Sequence, residues 1–247
     1  DATVFPTVPA YIKGLLALSN APDWPKSIRL FLAAGAPMSP VSAKEFRESS
    51  GRPIHIFYGA SECGGICFDR SGDAAERGTV GTPVEGVTIS ISEDDDTVEG
   101  GELTVQSNAV AETYLPNSSS RLGNNRFQTG DLAVWRSGEI ELLGRADRAE
   151  MIRGYKVNPA EIENVLLEMP GIDEVFVLGV RGSENADTFL RVAIACESRT
   201  LTAASVTKWC VERLPPYKVP RNIFFVDRLP RTERGKIDRP AVMKLSN

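Results

Sequence analysis

Phe127-Gln-Thr-Gly-Asp131, Gly144-Arg-Ala-Asp147 and Gly154-Tyr-Lys-Val157 follow one another closely near the middle of the chain, and their reading decides how the chain is divided. Leu132-Ala-Val-Trp135 and Glu139-Ile-Glu-Leu-Leu143 between the first two carry apolar strand patterns. Asp131 stands directly after a glycine, where a strand is expected to turn. Arg145 and Asp147 fall in a short polar link. The stretch reads as the end of one domain, a joint, and the start of another. A joint with an acceptor carboxylate and a fixed cation suits a polar ligand held between two domains. On spacing alone, a hairpin turn with a surface ion pair accounts for the same residues at least as well.

Upstream, Ile28-Arg-Leu-Phe-Leu-Ala-Ala34 is a nearly continuous apolar run, as expected of a buried parallel strand. It ends in Gly35-Ala-Pro37. Ser39 and Pro40 then open a helix as N-cap and first-turn residues, reaching about Glu48. Pro53-Ile-His-Ile-Phe57 reads as the next strand, ending in a loop Tyr58-Gly-Ala-Ser-Glu62. Strand, helix and strand of these lengths form a βαβ unit. Ligands of such sheets bind beyond the carboxyl ends of the strands, so the loops 35–37 and 58–62 are expected to face one crevice. Further up, Tyr11, Leu15, Leu16 and Leu18 mark a helix. The chain begins there without a cap or leader, as if cut through a larger fold.

From about Val80 to Leu143 short strands alternate with turns. Val87-Thr-Ile-Ser-Ile91 and Glu102-Leu-Thr-Val105 flank an acidic turn from Glu93 to Glu99. After the joint, Asn158, Pro159 and Glu161 supply an N-cap, a first-turn proline and an N3 acid. Ile162, Val165, Leu166 and Met169 then share one helical face. Glu174–Leu178 and Phe189–Ile194 read as strands. A second helix presents Val206, Trp209, Cys210 and Leu214 and stops at Pro215 and Pro216. A last strand, Asn222–Val226, leads to the basic loop Arg231-Thr-Glu-Arg-Gly-Lys236. The expected fold class is α/β in three parts. Residues 1–79 are the end of a doubly wound α/β subdomain, 80–146 a small antiparallel β-barrel subdomain, and 147–247 a compact α+β C-terminal domain.

A chain of 247 residues with 42% hydrophobic and 25% charged content can bury a core without staples. Its 33 acidic and 28 basic residues give a net charge of −5, which argues against nucleic acid or an anionic membrane as main partner. No run of about 18 apolar residues is present, so no membrane span is expected, and no signal peptide opens the chain. Cys63, Cys67, Cys196 and Cys210 match neither a zinc knuckle nor a redox Cys-x-x-Cys. Reduced, mostly buried thiols in a cytoplasmic protein are expected. The one histidine, His55, lies in an apolar run, and no Gly-x-Ser-x-Gly elbow accompanies it.

The loops hold complementary chemistry. Tyr58 offers a flat face. Glu62 offers a hard oxygen suited to magnesium, which takes one or two carboxylates plus phosphates. Asp131 can accept two hydrogen bonds from a vicinal diol, Arg145 is a fixed cation, and Lys236 beside Gly235 is a long one. Together they describe a nucleotide site, where catalysis is mostly positioning and charge neutralisation. Singly, each is also an ordinary surface residue.

Tyr58-Gly-Ala-Ser-Glu62, Thr129-Gly-Asp131, Gly144-Arg-Ala-Asp147, Gly154-Tyr-Lys-Val-Asn-Pro-Ala-Glu-Ile-Glu163 and Pro230-Arg-Thr-Glu-Arg-Gly-Lys236 occur in this order over about 180 residues. The set resembles the adenylate-forming superfamily of acyl-CoA synthetases, luciferases and nonribosomal peptide synthetase adenylation domains. The resemblance implies activation of a carboxylic acid by ATP to an acyl-adenylate and pyrophosphate, then transfer to a thiol, usually that of coenzyme A. It implies that Gly35, Ala36 and Pro37 line the adenine and Tyr58 stacks on it. Gly59, Ser61 and Glu62 belong to the nucleotide and Mg2+ site, Glu62 as the metal ligand. Asp131 would hold the ribose, and Arg145 the ribose or a phosphate. Lys236 would be the catalytic lysine between carboxylate and α-phosphate. Asp147 takes the hinge position, where a mobile C-terminal lid would swing, and Arg153 and Gly154 would meet coenzyme A.

The sequence departs from the family pattern in three places. The phosphate loop ending in Pro-Lys-Gly is absent, so the chain is expected to be a C-terminal half, inactive alone. Ser61 replaces the usual threonine and keeps the hydroxyl. Met151 replaces a common lysine three residues before Gly154. Pro216-Tyr-Lys-Val-Pro220 and Val226-Asp-Arg-Leu-Pro230 are similar to the acyl-CoA ligase branch. The alternatives are an adenylation domain that loads a carrier-protein thiol, and a non-catalytic fragment or interaction module.

Overall fold

A computed structural model of the chain describes residues 2–18, 24–92, 100–181, 188–196, 201–232 and 237–245. The acidic turn 93–99 and the loop end 233–236, with Gly235 and Lys236, lie outside the described residues. The chain forms two compact units, Asp1–Leu142 and Leu143–Asn247.

The first unit opens with β1 (Val4–Thr7), α1 (Pro9–Leu16), β2 (Leu30–Ala34), α2 (Pro40–Ser50) and β3 (Ile54–Ala60). β1, β2 and β3 run parallel in that spatial order, so β2, α2 and β3 make the expected βαβ unit. The Ser39 hydroxyl accepts the Ser42 amide ahead of Pro40, and Gly51 ends α2 in the left-handed region. Phe31, Phe46 and Trp24 meet edge to face at centroid distances of 5.0–5.2 Å between the strand and the helix. In α1 the buried residue is Ile12, while Tyr11 and Leu18 point outward. Of the stripe expected at Tyr11, Leu15, Leu16 and Leu18, Leu16 packs against the core with Ile12, whereas Tyr11 and Leu18 do not.

β3 does not end before Tyr58, as the sequence led us to expect. It runs on through Tyr58, Gly59 and Ala60 and pairs antiparallel with β4 (Gly64–Phe68), with a register shift at Tyr58/Gly59. After α3 (Ala74–Arg77), β5 (Thr82–Pro83) completes this five-stranded mixed sheet. The second sheet is built from β6 (Thr88–Ile91), β7 (Gly101–Gln106), β8 (Leu122–Gly123), β9 (Arg126–Arg136) and β10 (Glu139–Arg145). Its order is β10-β9-β7-β6, with β8 against β9. Among the described residues this path is open and antiparallel, and it does not close into the expected barrel. Asp131 also lies within β9 and not at a strand end. Between the pairs Glu102↔Leu132 and Thr104↔Gln128 the register slips. The extra length is absorbed as a bulge at Thr129-Gly-Asp131, where Gly130 takes φ +79°. Cys63, Ile66 and Cys67 of the β3–β4 hairpin share a core with Leu103, Val105, Phe127 and Ile140 of the second sheet. That shared core brings Tyr58 and Asp131 together.

The second unit contains the hairpin β11 (Glu150–Ile152) and β12 (Tyr155–Val157), then α4 (Pro159–Leu167), β13 (Glu174–Arg181), β14 (Thr188–Ala195), α5 (Ala203–Val211), β15 (Asn222–Val226) and α6 (Arg239–Met243). β13 and β14 pair antiparallel, and β14 and β15 parallel. Ile162, Leu166, Val206 and Cys210 pack from the helices onto Val175, Val177, Val192 and Ile194. This is the α+β pattern read from the sequence. Asn158 caps α4 by accepting the Ala160 amide ahead of Pro159. No helix among the described residues is long and apolar enough to cross a membrane. All four cysteines are free, and only Cys196 is not buried. Burial pushes the Cys67 thiol up to about 12 and the Cys210 thiol up to about 11, so neither is poised as a nucleophile.

Candidate functional site

In the first unit the register Ala34↔Phe57 sets Gly35 level with Tyr58. Gly35, Ala36 and Pro37 form an exposed turn beyond the end of β2, beside the strand that carries Tyr58. The Tyr58 hydroxyl donates to Asp131 Oδ2 at 2.5 Å. Burial, followed by the Asp131 charge, pushes the Tyr58 phenol well above the ordinary tyrosine range. It therefore stays protonated and serves Asp131 as a donor. Thr129 anchors the backbone that carries this carboxylate. Its buried hydroxyl donates to the Leu103 carbonyl and accepts the Asp131 amide, both at 3.0 Å. The sequence reading assigned Thr129 no role. The signal was present, since a threonine two residues before an acid can bond that backbone amide.

Gly59 follows Tyr58 in β3, and Ser61 and Glu62 occupy the turn into β4. The Glu62 carbonyl accepts the Ala111 amide at 2.8 Å, and the Tyr114 hydroxyl donates to Glu62 Oε1 at 2.8 Å. Tyr114 was not singled out in the sequence, because nothing near it repeats or alternates. Glu62 is half-buried and offers its carboxylate beside the turn. No group of three or more histidine, cysteine, aspartate or glutamate ligands occurs among the described residues. A lone carboxylate of this kind fits magnesium bound jointly with phosphate oxygens and does not fit a zinc site.

In the second unit Arg145 and Asp147 form an ion pair at 3.2 Å, with side chains 43% and 62% exposed. This is the surface pair that the spacing alone allowed. Arg153 and Gly154 are the two loop residues of the β11–β12 hairpin, at φ +51° and +85°. Two successive positive φ values define the tight turn that matches strand twist. The segment read as a loop is thus a hairpin tip. Tyr155 stacks on Tyr217 at 4.1 Å and 12° beside it. Behind the tip lies a cavity of about 200 Å³ lined by Ile152, Arg153, Phe189, Tyr217 and Arg221 among others. Lys236 lies outside the described residues.

Comparison with known proteins gives the family. The AMP-binding enzyme family matches residues 1–115, and the AMP-binding enzyme C-terminal domain matches residues 161–236. The chain belongs to this family, the adenylate-forming superfamily. A long-chain-fatty-acid–CoA ligase of Escherichia coli O6:H1 is 29% identical over 222 residues, which cover 86% of this chain and 39% of the ligase. Bacitracin synthase 3 of Bacillus licheniformis is 29% identical over 232 residues, covering 88% of this chain and 4% of the synthase. The structure of o-succinylbenzoate CoA synthetase from Bacillus subtilis with its acyl-adenylate intermediate superposes with a TM-score of 0.84 at 28% identity. The match covers 100% of this chain and 51% of that one. The same enzyme has been solved with ATP and magnesium. The chain thus spans about half the length of these relatives or less.

Proposed function

We propose that this chain is part of an AMP-forming acid–thiol ligase. A carboxylate oxygen attacks the α-phosphorus of ATP, the bond to pyrophosphate breaks, and an acyl-adenylate forms. A thiol then attacks the acyl carbon and AMP leaves. The observation that carries this reading is the Tyr58–Asp131 hydrogen bond. It fixes an aromatic ring and a carboxylate, far apart in sequence, in one place. The ring suits an adenine face, with Gly35, Ala36 and Pro37 beside it. The carboxylate, held by Tyr58 on a backbone that Thr129 anchors, suits the two hydroxyls of a ribose.

Glu62 would hold Mg2+, which when bound neutralises phosphate charge. Ser61 and Gly59 sit at the same turn and would meet the phosphates. Lys236 would stabilise the charge that develops between the carboxylate and the α-phosphate. The three parts 1–79, 80–146 and 147–247 would work as two bodies that turn about Asp147, presenting Lys236 for adenylation and the Arg153-Gly154 tip for thiol transfer. Arg145 would reach ribose or phosphate in the first of these states. Coenzyme A is the favoured thiol. The cavity beside the tip carries two arginines and aromatic rings, a lining that suits its phosphates and base. A carrier-protein thiol is the competing acceptor, and the similarity to a bacitracin synthase favours it.

Acid-dependent exchange of pyrophosphate into ATP, measured on the intact protein across a panel of carboxylic acids, tests the first half-reaction. Exchange with one class of acid supports adenylation and names the substrate class. Absence of exchange with every acid returns the chain to a binding module. Coenzyme A and carrier protein offered in parallel identify the acceptor.

A further inference from the structure

The link from Leu143 to Arg148 is fastened to α4 at both ends. At the first end the Asn158 carboxamide donates to the Leu143 carbonyl. Gly144, at φ +130°, packs so tightly that a Cβ would lie 2.5 Å from Asn158 Nδ2 and 2.7 Å from the Ala160 methyl. At the other end the Arg148 guanidinium donates to both Glu163 oxygens, at 2.6 and 3.2 Å. It also donates to the Val177 carbonyl at 3.2 Å and lies 4.7 Å from the Phe176 ring centroid. Glu163 Oε1 in turn accepts the Val177 amide at 2.9 Å. One ion pair therefore joins the link, α4 and β13. Between the two fastenings Arg145 and Asp147 are exposed, whereas the Arg148 and Glu163 side chains are only 28% and 14% exposed.

Most surface ion pairs hold little in place. This one is bidentate, placed over an aromatic ring, and completed by a backbone donor and a backbone acceptor, a geometry that lysine cannot reproduce. We infer that Arg148 and Glu163 are positioning residues of the ligase: they fix the point where rotation in the link stops, so that a turn at Asp147 passes to the sheet and helices of the second unit without slack. The inference rests on the hinge reading given above. It adds to that reading which side chains define the axis. Loss of the clamp would let residues after Asp147 rotate as well, so the second unit would reach its thiol-transfer position less often. Small misplacements of this kind are costly in rate.

The test uses the intact protein with Arg148→Lys, Glu163→Gln, Asp147→Pro and, as a control that also removes an ion pair to α4, Lys218→Met, which breaks the pair to Glu161. Pyrophosphate exchange reports adenylation. Single-turnover conversion of acyl-adenylate formed on the enzyme reports the change of position plus thiol transfer. Arg148→Lys and Glu163→Gln are each expected to slow the second rate at least about fivefold. Exchange rate, KM for ATP and KM for the acid should stay within about twofold, and Lys218→Met should change neither rate. If Asp147→Pro separates the two rates while both clamp variants keep the parental ratio, the clamp inference is wrong and the hinge stands. Equal slowing of both half-reactions with a fall in Tm would assign the pair a purely structural role and also overturn the inference. If Asp147→Pro leaves both rates unchanged, the hinge reading fails and takes the clamp with it.

Discussion

The Tyr58 phenol and the Asp131 carboxylate, one on the hairpin strand of the mixed sheet and the other on a bulge of the antiparallel sheet, meet at 2.5 Å. The contact orients Asp131 and at the same time fixes the plane of the ring. A hydrogen bond to a charged acceptor is among the stronger kinds. Tyr58→Phe, which keeps the ring, should raise KM for ATP about tenfold, the equivalent of ~1.4 kcal/mol. In an Asp131→Asn background the same change should cost much less. Calorimetric titration of the four proteins with a non-hydrolysable ATP analogue measures the coupling, and additive losses would show that the two residues act separately.

Thr129 lies beneath this pair. Thr129→Val preserves shape but strands the Leu103 carbonyl and the Asp131 amide in a buried place. The expected cost is ~1–3 kcal/mol of stability, together with weaker nucleotide binding. Chemical denaturation of the variant with and without ATP checks both effects.

Glu139 gives a pH-dependent prediction. It accepts from Arg77 at 2.6 and 3.2 Å and from Thr79 at 2.5 Å. Burial raises its carboxyl, but the hydrogen bonds from Arg77 and Thr79 outweigh it, so the folded-state value lies below the ordinary 4.5. A lowered folded value means that the contribution is complete above the unfolded value and is lost as pH falls through the folded one. Glu139→Gln should therefore cost about 1–2 kcal/mol at pH 7, and the difference from the parent should shrink below 4.5. Urea unfolding followed from neutral to acid pH measures this. A difference that grows toward acid would reverse the sign.

Much of this architecture is legible in the residues. Apolar runs and caps indicate β2, α2, β3 and, in the second unit, α4, β13, β14, α5 and β15 in order, because Ser39, Asn158 and the prolines act locally; the β11–β12 hairpin and α6 are too short to leave such a pattern. The misplaced turns at Tyr58 and Asp131 have one cause. Glycine after or before the residue read as a break, whereas in both places it lets a strand shift register and continue. The α1 stripe holds at Leu16 and not at Tyr11 and Leu18, which are apolar by type and exposed by position. Closure of the second sheet depends on pairings distant in sequence, which strand patterns do not encode. The motifs name the residues proposed for the nucleotide in the first unit. Of the groups that pack on them, Thr129 is legible two residues before Asp131, whereas Tyr114 meets Glu62 from 52 residues away. In the second unit the Arg148–Glu163 pair joins residues 15 apart, a separation that no local pattern encodes.

The most direct measurement uses a carboxylic acid accepted in the exchange assay, labelled with oxygen-18 in its carboxylate and turned over by the intact protein with ATP and thiol. Attack of that carboxylate on the α-phosphorus predicts one labelled oxygen in the AMP released and none in pyrophosphate. Label in inorganic phosphate, with ADP as the nucleotide product, would place the attack on the γ-phosphorus and contradict the adenylate account.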